Sequence, residues 1–310
     1  MCGICGFAAP KASQEWKYET LVELLQRSEK RGDDATGITF IDDTGKLIVI
    51  KDGVKSTDFV KTDEFKALKG HLPDIVLAHT RGVSLGLGKD GAPDDNANNH
   101  PFYSPEAGLS LVHNGRIQDS MWRETAGEEG GLLKKCTGGT DSETALRIIE
   151  TIMVKDTVKE EAEAPHYPDM LDVLDDACFN ISGNYTFGVL HAPYPDRLWL
   201  VRHNNPMVLA YDPDQEAIVF ASDKEYADSV LQVYKEHFGF FYQWATPETV
   251  MFNAMTADSA LEIRINYEAA GDLFAFRRRN IEAAATAYPY HAKAAKMIEE
   301  GQELPTEVLI

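Results

Sequence analysis

No apolar run in this 310-residue chain approaches the ~18 residues that a membrane-crossing helix needs. The N-terminus also lacks the basic start and apolar stretch of a secretory leader. No membrane partner is expected. Cysteine is scarce: four in the whole chain do not make a disulfide framework, so a reducing cytoplasm is the expected compartment. Positive charge is scarce as well. Thirty Lys and Arg against fifty Asp and Glu give a formal net charge of −20, which argues against a nucleic-acid partner, since that binding depends on Lys and Arg displacing counterions. The one dense basic run, Arg277 to Arg279, reads as a solvated face. No repeat of fixed period is present, which excludes a solenoid. What remains, with 44% hydrophobic and 26% charged residues, is the make-up of a folded soluble protein with a sizeable core.

Cys2 and Cys5 form a C-x-x-C, which must be weighed as a metal or redox motif. Zinc would need two further ligands at close spacing, yet Cys136 and Cys178 are isolated and no two histidines show ligand spacing. A redox pair would open a helix, whereas "CGICGFA" is short, apolar and followed by Pro10, which reads as a buried strand. No metal and no cofactor are expected.

After this strand, Trp16, Leu21, Leu24 and Leu25 have helical spacing in a segment that Gly32 is expected to stop. "TGITFID", "KLIVIKDG", "DIVLAHTRG" and "GLSLVHNG" read as strands. The Gly-, Asp- and Asn-rich stretch from Val83 to Phe102 reads as a loop of functional length. A helix begins at Thr140, which has capping-box spacing to Glu143, and a second covers "MLDVLDDACFNI". Four strand-like runs follow, then a helix over 223–237 and a late strand "ALEIRIN". Strands and helices come in blocks without alternating, so the expected class is α+β with largely antiparallel sheets. The expected organisation is one domain over 2–266 and a helical C-terminal extension over 271–310.

If Met1 is removed, Cys2 carries a thiol and a free α-amine on one residue, a nucleophile beside its own base. An α-amine has a reference pKa of about 7.7–8.0, in the range where a general base works best. Such a nucleophile needs an oxyanion hole and a grip on its substrate. A strand ending at Asn114-Gly115 can aim an amide N–H and a backbone N–H at one point, although the pair also reads as a plain turn.

The ordered motifs "MCGICGF", "RGDDATG", "HTRG", "NNHPF", "LVHNG" and "GGTDSETA" closely resemble the N-terminal-nucleophile glutaminase domain of class II glutamine amidotransferases. The resemblance continues through "SGNYTFGVL", "LWLVRHNNPMVLA" and "AIVFASD" and spans about Cys2 to Asn266. It implies a four-layer α-β-β-α sandwich with Cys2 at the end of a central strand. By position, Cys2 attacks the side-chain amide of glutamine, and Asn114 and Gly115 are the oxyanion pair. Arg81 matches the arginine on the substrate α-carboxylate, for which a guanidinium fork is suited. Asp141 matches the acid on the α-ammonium. Arg31 and Asp34 match a loop beside the site, in either a substrate or a salt-bridging role. His79, His100 and His113 flank the site as packing or hydrogen-bonding residues. In the sugar-amidating branch the arginine is followed by Trp-Ala-Thr-His-Gly; here it is followed by "GVSLG", so Ser84 can supply the hydroxyl while Gly82 stands at the Trp position and Leu85 at the His position.

The expected function is therefore hydrolysis of L-glutamine to glutamate through a thioester on Cys2. Ammonia would pass to a separate synthase or ligase subunit, because the ~40 residues after the sandwich are too few for an acceptor domain. Homo-oligomerisation stays open. So do two other readings: an amidase on another γ-glutamyl or amide substrate without ammonia transfer, and a non-catalytic binding subunit of the same fold.

Overall fold

A computed structural model describes residues 2–83, 92–117, 136–156, 167–212, 214–223, 258–267 and 273–281. Its described strands form two six-stranded antiparallel sheets. In the first, β3 (Leu47–Asp52), β2 (Ala35–Ile41), β4 (Ile75–Arg81), β1 (Gly3–Ala8), β10 (Ala217–Ala221) and β9 (Val208–Asp212) lie side by side in that order. The second runs β12 (Phe274–Asn280), β11 (Ser259–Ile265), β8 (Arg197–His203), β7 (Gly183–His191), β6 (Leu109–Ile117) and β5 (Phe102–Ser104).

Period-two alternation sorts the side chains into layers. On β1, Ile4 and Ala8 turn inward to meet Leu77, Val112, Leu200 and Leu261 between the sheets. Cys5 and Phe7 turn outward, under helix α1 (Gln14–Ser28). Leu21, Leu24 and Leu25 of α1 are fully buried there, each contributing about 1.5–3 kcal/mol. That apolar face, more than intrinsic propensity, holds the helix in place. On the far side, α2 (Asp141–Asp156) and α3 (Met170–Phe179) cover the outer face of the second sheet through Leu146, Ile149, Met153 and Leu174 against Leu111, Phe187 and Trp199. The layers are α-β-β-α, as the resemblance implies.

Three local expectations are corrected. First, α1 stops at Ser28, before Gly32, because the next residues are drawn elsewhere. The Glu29 carboxylate accepts from Ser56 Oγ and the Thr57 N–H, while Gly32 packs against the Arg81–Gly82 backbone, where a Cβ would lie 2.3 Å from the Arg81 carbonyl carbon.

Second, the capping box at Thr140 does not form. The Thr140 hydroxyl is buried without a partner, and Glu143 instead accepts from the Thr137 and Gly138 N–H groups and from Arg147.

Third, the residues expected to open a helical extension form β12, paired to β11 from Ser259↔Asn280 to Ile265↔Phe274. The run Arg277–Arg279 lies on this edge strand as an ion-pair strip: Arg277 meets Asp169 and Glu262, and Arg279 meets Asp172 and Asp175. The helix expected over 223–237 and the extension beyond 281 lie outside the described residues.

Candidate active site

Cys2 precedes β1, which is flanked by β4 and β10 near the middle of its sheet. The register Gly3↔Thr80 sets Cys2 beside the end of β4, where Arg81 and Gly82 lie. The half-buried Cys2 thiol is 3.6 Å from the Gly82 carbonyl oxygen. Burial raises its pKa above the ordinary value, the cationic Arg81 offsets part of that rise, and the charge of Asp141 adds to it. Arg81 in turn lies in the field of Cys2, Asp34 and Asp141, while burial lowers its own pKa. Three of the expected site residues, the nucleophile and the two charged substrate contacts, therefore share one electrostatic environment.

Each charged group has a built support. Arg81 is only 4% exposed, and its guanidinium donates to Asn99 Oδ1 at 2.7 Å. Asn99 is itself oriented by donating to the Pro93 carbonyl and to Asn96 Oδ1. Asp141 opens α2, and one of its oxygens accepts the Ile117 N–H at 2.8 Å, tying the helix start to the end of β6. Asp34 accepts the Val83 N–H at 2.6 Å and so pins the chain that leaves β4.

Asn114 and Gly115 lie near the end of β6, opposite Thr186 and Tyr185. Gly115 is required there: its φ is +130°, and a Cβ would come 2.0 Å from the Asn184 carbonyl oxygen. The Asn114 amide reaches across the sheets to Ser222 Oγ at 2.6 Å. That same oxygen accepts the Ile4 N–H at 2.8 Å, which ties Asn114 to the strand that Cys2 precedes. Asn205 secures the backbone by donating to the Asn114 carbonyl at 2.9 Å.

Arg31 does not point its bonds at an open site. Its Nε donates to the Cys2 carbonyl oxygen at 2.8 Å, and its Nη1 lies 3.7 Å from Asp223. Ser84 lies outside the described residues. Cys5 is buried on the α1 side with its thiol pushed up to about 12 by desolvation. His79, His100 and His113 are buried together, the His79 and His100 ring centroids 3.9 Å apart with the planes tilted by 33°. Burial lowers all three pKa values, that of His79 to about 3, so the cluster is neutral at pH 7.

Asn99, Ser222 and Asn205 carry no role in the reading of the sequence. All three sit inside motifs noted there, Ser222 directly after the apolar strand of "AIVFASD". A polar residue directly after a buried strand of the sheet that Cys2 opens is the signal that could have marked it.

No model of a protein family matches the chain. It is 28% identical over 229 residues to the glutamine–fructose-6-phosphate aminotransferase of Fusobacterium nucleatum, covering 72% of this chain and 32% of that one. The enzyme of the same name from Bacteroides thetaiotaomicron is 28% identical over 236 residues, covering 74% and 34%. That of Aeropyrum pernix is 27% identical over 268 residues, covering 84% and 38%. The chain thus spans about a third of the length of the curated relatives it matches. Among solved structures, glutamine phosphoribosylpyrophosphate amidotransferase from B. subtilis superposes with a TM-score of 0.55 at 17% identity, over 89% of this chain and 49% of that one. An allosteric regulatory enzyme of purine biosynthesis gives 0.56 at 17% identity, over 90% and 50%. At such identity these likenesses concern the fold. In sequence the chain is similar to glutamine–fructose-6-phosphate aminotransferases over about a third of their length, and in fold it is similar to glutamine phosphoribosylpyrophosphate amidotransferase.

Proposed function

We propose that this chain hydrolyses L-glutamine to glutamate and ammonia through a γ-glutamyl thioester on Cys2, and that the ammonia passes to a separate synthase or ligase subunit. The observation that carries the reading is the placement of Cys2 beside Arg81 at the end of β4, with Asp141 tied to the end of the strand that holds Asn114 and Gly115. A fixed cation and a fixed anion beside one thiol suit the α-carboxylate and α-ammonium of a free amino acid. The names of the relatives pair glutamine with fructose-6-phosphate. Only the glutamine half of that chemistry is taken over here, because the match covers about a third of those proteins.

Removal of Met1 frees the Cys2 amine. That amine takes the thiol proton as sulfur attacks the amide carbon, then gives it to the departing nitrogen so that ammonia leaves and the thioester remains. Water then attacks the thioester, releasing glutamate and restoring the thiol. The negative oxygen of each tetrahedral intermediate is met by the Asn114 amide and the Gly115 N–H. Arg31 acts on the nucleophile's backbone. Free ammonia is protonated in neutral water and loses its lone pair, which is why delivery calls for a docked acceptor.

The test is intact-mass analysis of the purified chain, followed by glutamate-release assays of the wild type and Cys2→Ala on glutamine and on γ-glutamyl dipeptides. Loss of Met1, turnover of glutamine and none by a folded Cys2→Ala are expected. Preference for the dipeptides would favour the amidase reading, and retained Met1 with no turnover the non-catalytic one.

A further inference from the structure

A side-chain amide has nearly the same shape either way round, and its orientation is fixed by the hydrogens around it. Around Asn114 those hydrogens are decided independently on two sides. Ser222 Oγ already accepts the Ile4 N–H, so the hydroxyl proton is available for donation. The separation of 2.6 Å from the Asn114 amide is short beside the usual ~2.9–3.0 Å of N–H···O and normal for O–H···O.

On the other side, His79 Nε2 is 2.9 Å from the His113 carbonyl oxygen. A carbonyl only accepts, so Nε2 carries the ring proton and Nδ1 presents a lone pair. Burial holds His79 neutral, down to about 3, and the Asn114 amide interacts with the ring. Both His79 Nδ1 and the second polar atom of the Asn114 amide are buried without a partner. An oxygen set against that lone pair would repel it, whereas an N–H there satisfies both.

We infer that the Asn114 amide is held with Oδ1 accepting from the Ser222 hydroxyl and Nδ2 donating to His79 Nδ1, so that Ser222 and His79 are the positioning residues of the oxyanion donor. The chain of bonds then runs without a break from the Ile4 N–H through Ser222, Asn114 and His79 to the His113 carbonyl. One Nδ2 hydrogen is used on His79, and the other is left for the developing oxyanion. Because Ser222 also donates its own N–H to the Ile4 carbonyl at 2.8 Å, the donor is registered directly to the strand that carries Cys2. The catalytic part of this inference rests on the glutaminase reading above.

Two measurements on the full-length protein test it. In steady-state glutamate release, Ser222→Ala is expected to lower kcat by roughly ten- to a hundredfold, less than outright loss of an oxyanion donor, with KM for glutamine changed less than about threefold because the oxyanion exists only in the transition state. Ser222→Thr, which keeps the hydroxyl, should recover most of the loss. Nitrogen NMR of the wild type should show His79 protonated at Nε2 and accepting at Nδ1. A Ser222→Ala enzyme with wild-type kcat, or a His79 protonated at Nδ1, overturns the inference, and the second result stands even if the variant fails to fold. A wild type that releases no glutamate would sink the glutaminase reading instead, leaving the NMR result to judge the amide orientation alone.

Discussion

Arg31 Nε donates to the carbonyl oxygen of Cys2 over 2.8 Å, so this arginine grips the peptide that follows Cys2. Asp223, 3.7 Å from its Nη1, lies just after β10, which pairs with β1. Two chain segments on different sides of Cys2 thus meet through one guanidinium. Hydrogen bonds to charged groups contribute about 1.5–3 kcal/mol, enough to hold Cys2 at the start of β1.

Replacement of Arg31 therefore separates a positioning role from a substrate contact. Arg31→Ala should lower kcat for glutamine hydrolysis by about ten- to a hundredfold, as small misplacements of reacting groups do, with KM nearly unchanged. Steady-state kinetics over a range of glutamine concentrations decides the matter. A large rise in KM at constant kcat would return Arg31 to the substrate site.

Arg81 and Asp141 should behave in the opposite way. Arg81→Lys keeps the charge but loses the fork that bonds Asn99 and suits a carboxylate, and Asp141→Asn removes the anion. Each should raise KM by about ten- to a hundredfold, in line with the loss of a charge-assisted bond. Competition by glutamate analogues lacking either α-group provides the matching check: an analogue without its carboxylate should discriminate against the wild type far more than against the Arg81 variant.

Much of the fold is readable because its strands are apolar and bounded by turns. "GICGFA", "IVLAHTR" and "AIVFA" are buried along their whole lengths, and their identity survives any choice of neighbours. β12 hides because it is an edge strand whose Arg277 and Arg279 are neutralised by Asp169, which caps α3, and by Asp172 on α3, about a hundred positions earlier. The capping box fails for a similar reason: Glu143 has better partners in Thr137, Gly138 and Arg147. Within the site, Cys2, Arg81, Asn114 and Asp141 stand in short ordered motifs. Ser222 acts on Asn114 from 108 positions away, a distance that no local pattern encodes.

Gly115 offers a test of backbone geometry. With φ at +130° and the Asn184 carbonyl where a methyl group would go, Gly115→Ala must either strain the chain, at about 1–3 kcal/mol, or push β6 away from β7. Chemical denaturation should show a lower midpoint than wild type, and glutamate release should fall further than stability alone explains, because the displaced N–H is the proposed oxyanion donor. A variant as stable and active as wild type would remove Gly115 from the site.

The buried histidines make stability depend on pH in a defined direction. Desolvation holds His79 at about 3, His191 at about 4 and His100 well below its ordinary value, and all three are at most 4% exposed. Unfolded imidazoles take up protons below about 6.5, so between pH 6.5 and about 4 the unfolded state binds more protons than the folded one. Stability must then fall as the pH falls through that window, while above it these groups add no slope. At pH 5 each contributes a loss of up to about 2 kcal/mol relative to pH 7. Urea denaturation at pH 7 and pH 5 should therefore show a marked drop in midpoint, with calorimetry in two buffers of different ionisation enthalpy registering uptake of two to three protons on unfolding at pH 5, roughly one per buried ring. Equal midpoints and no proton uptake would mean that these rings are charged, or open to water, in the folded protein. The neutral His79 on which the orientation of Asn114 depends would then be lost with them.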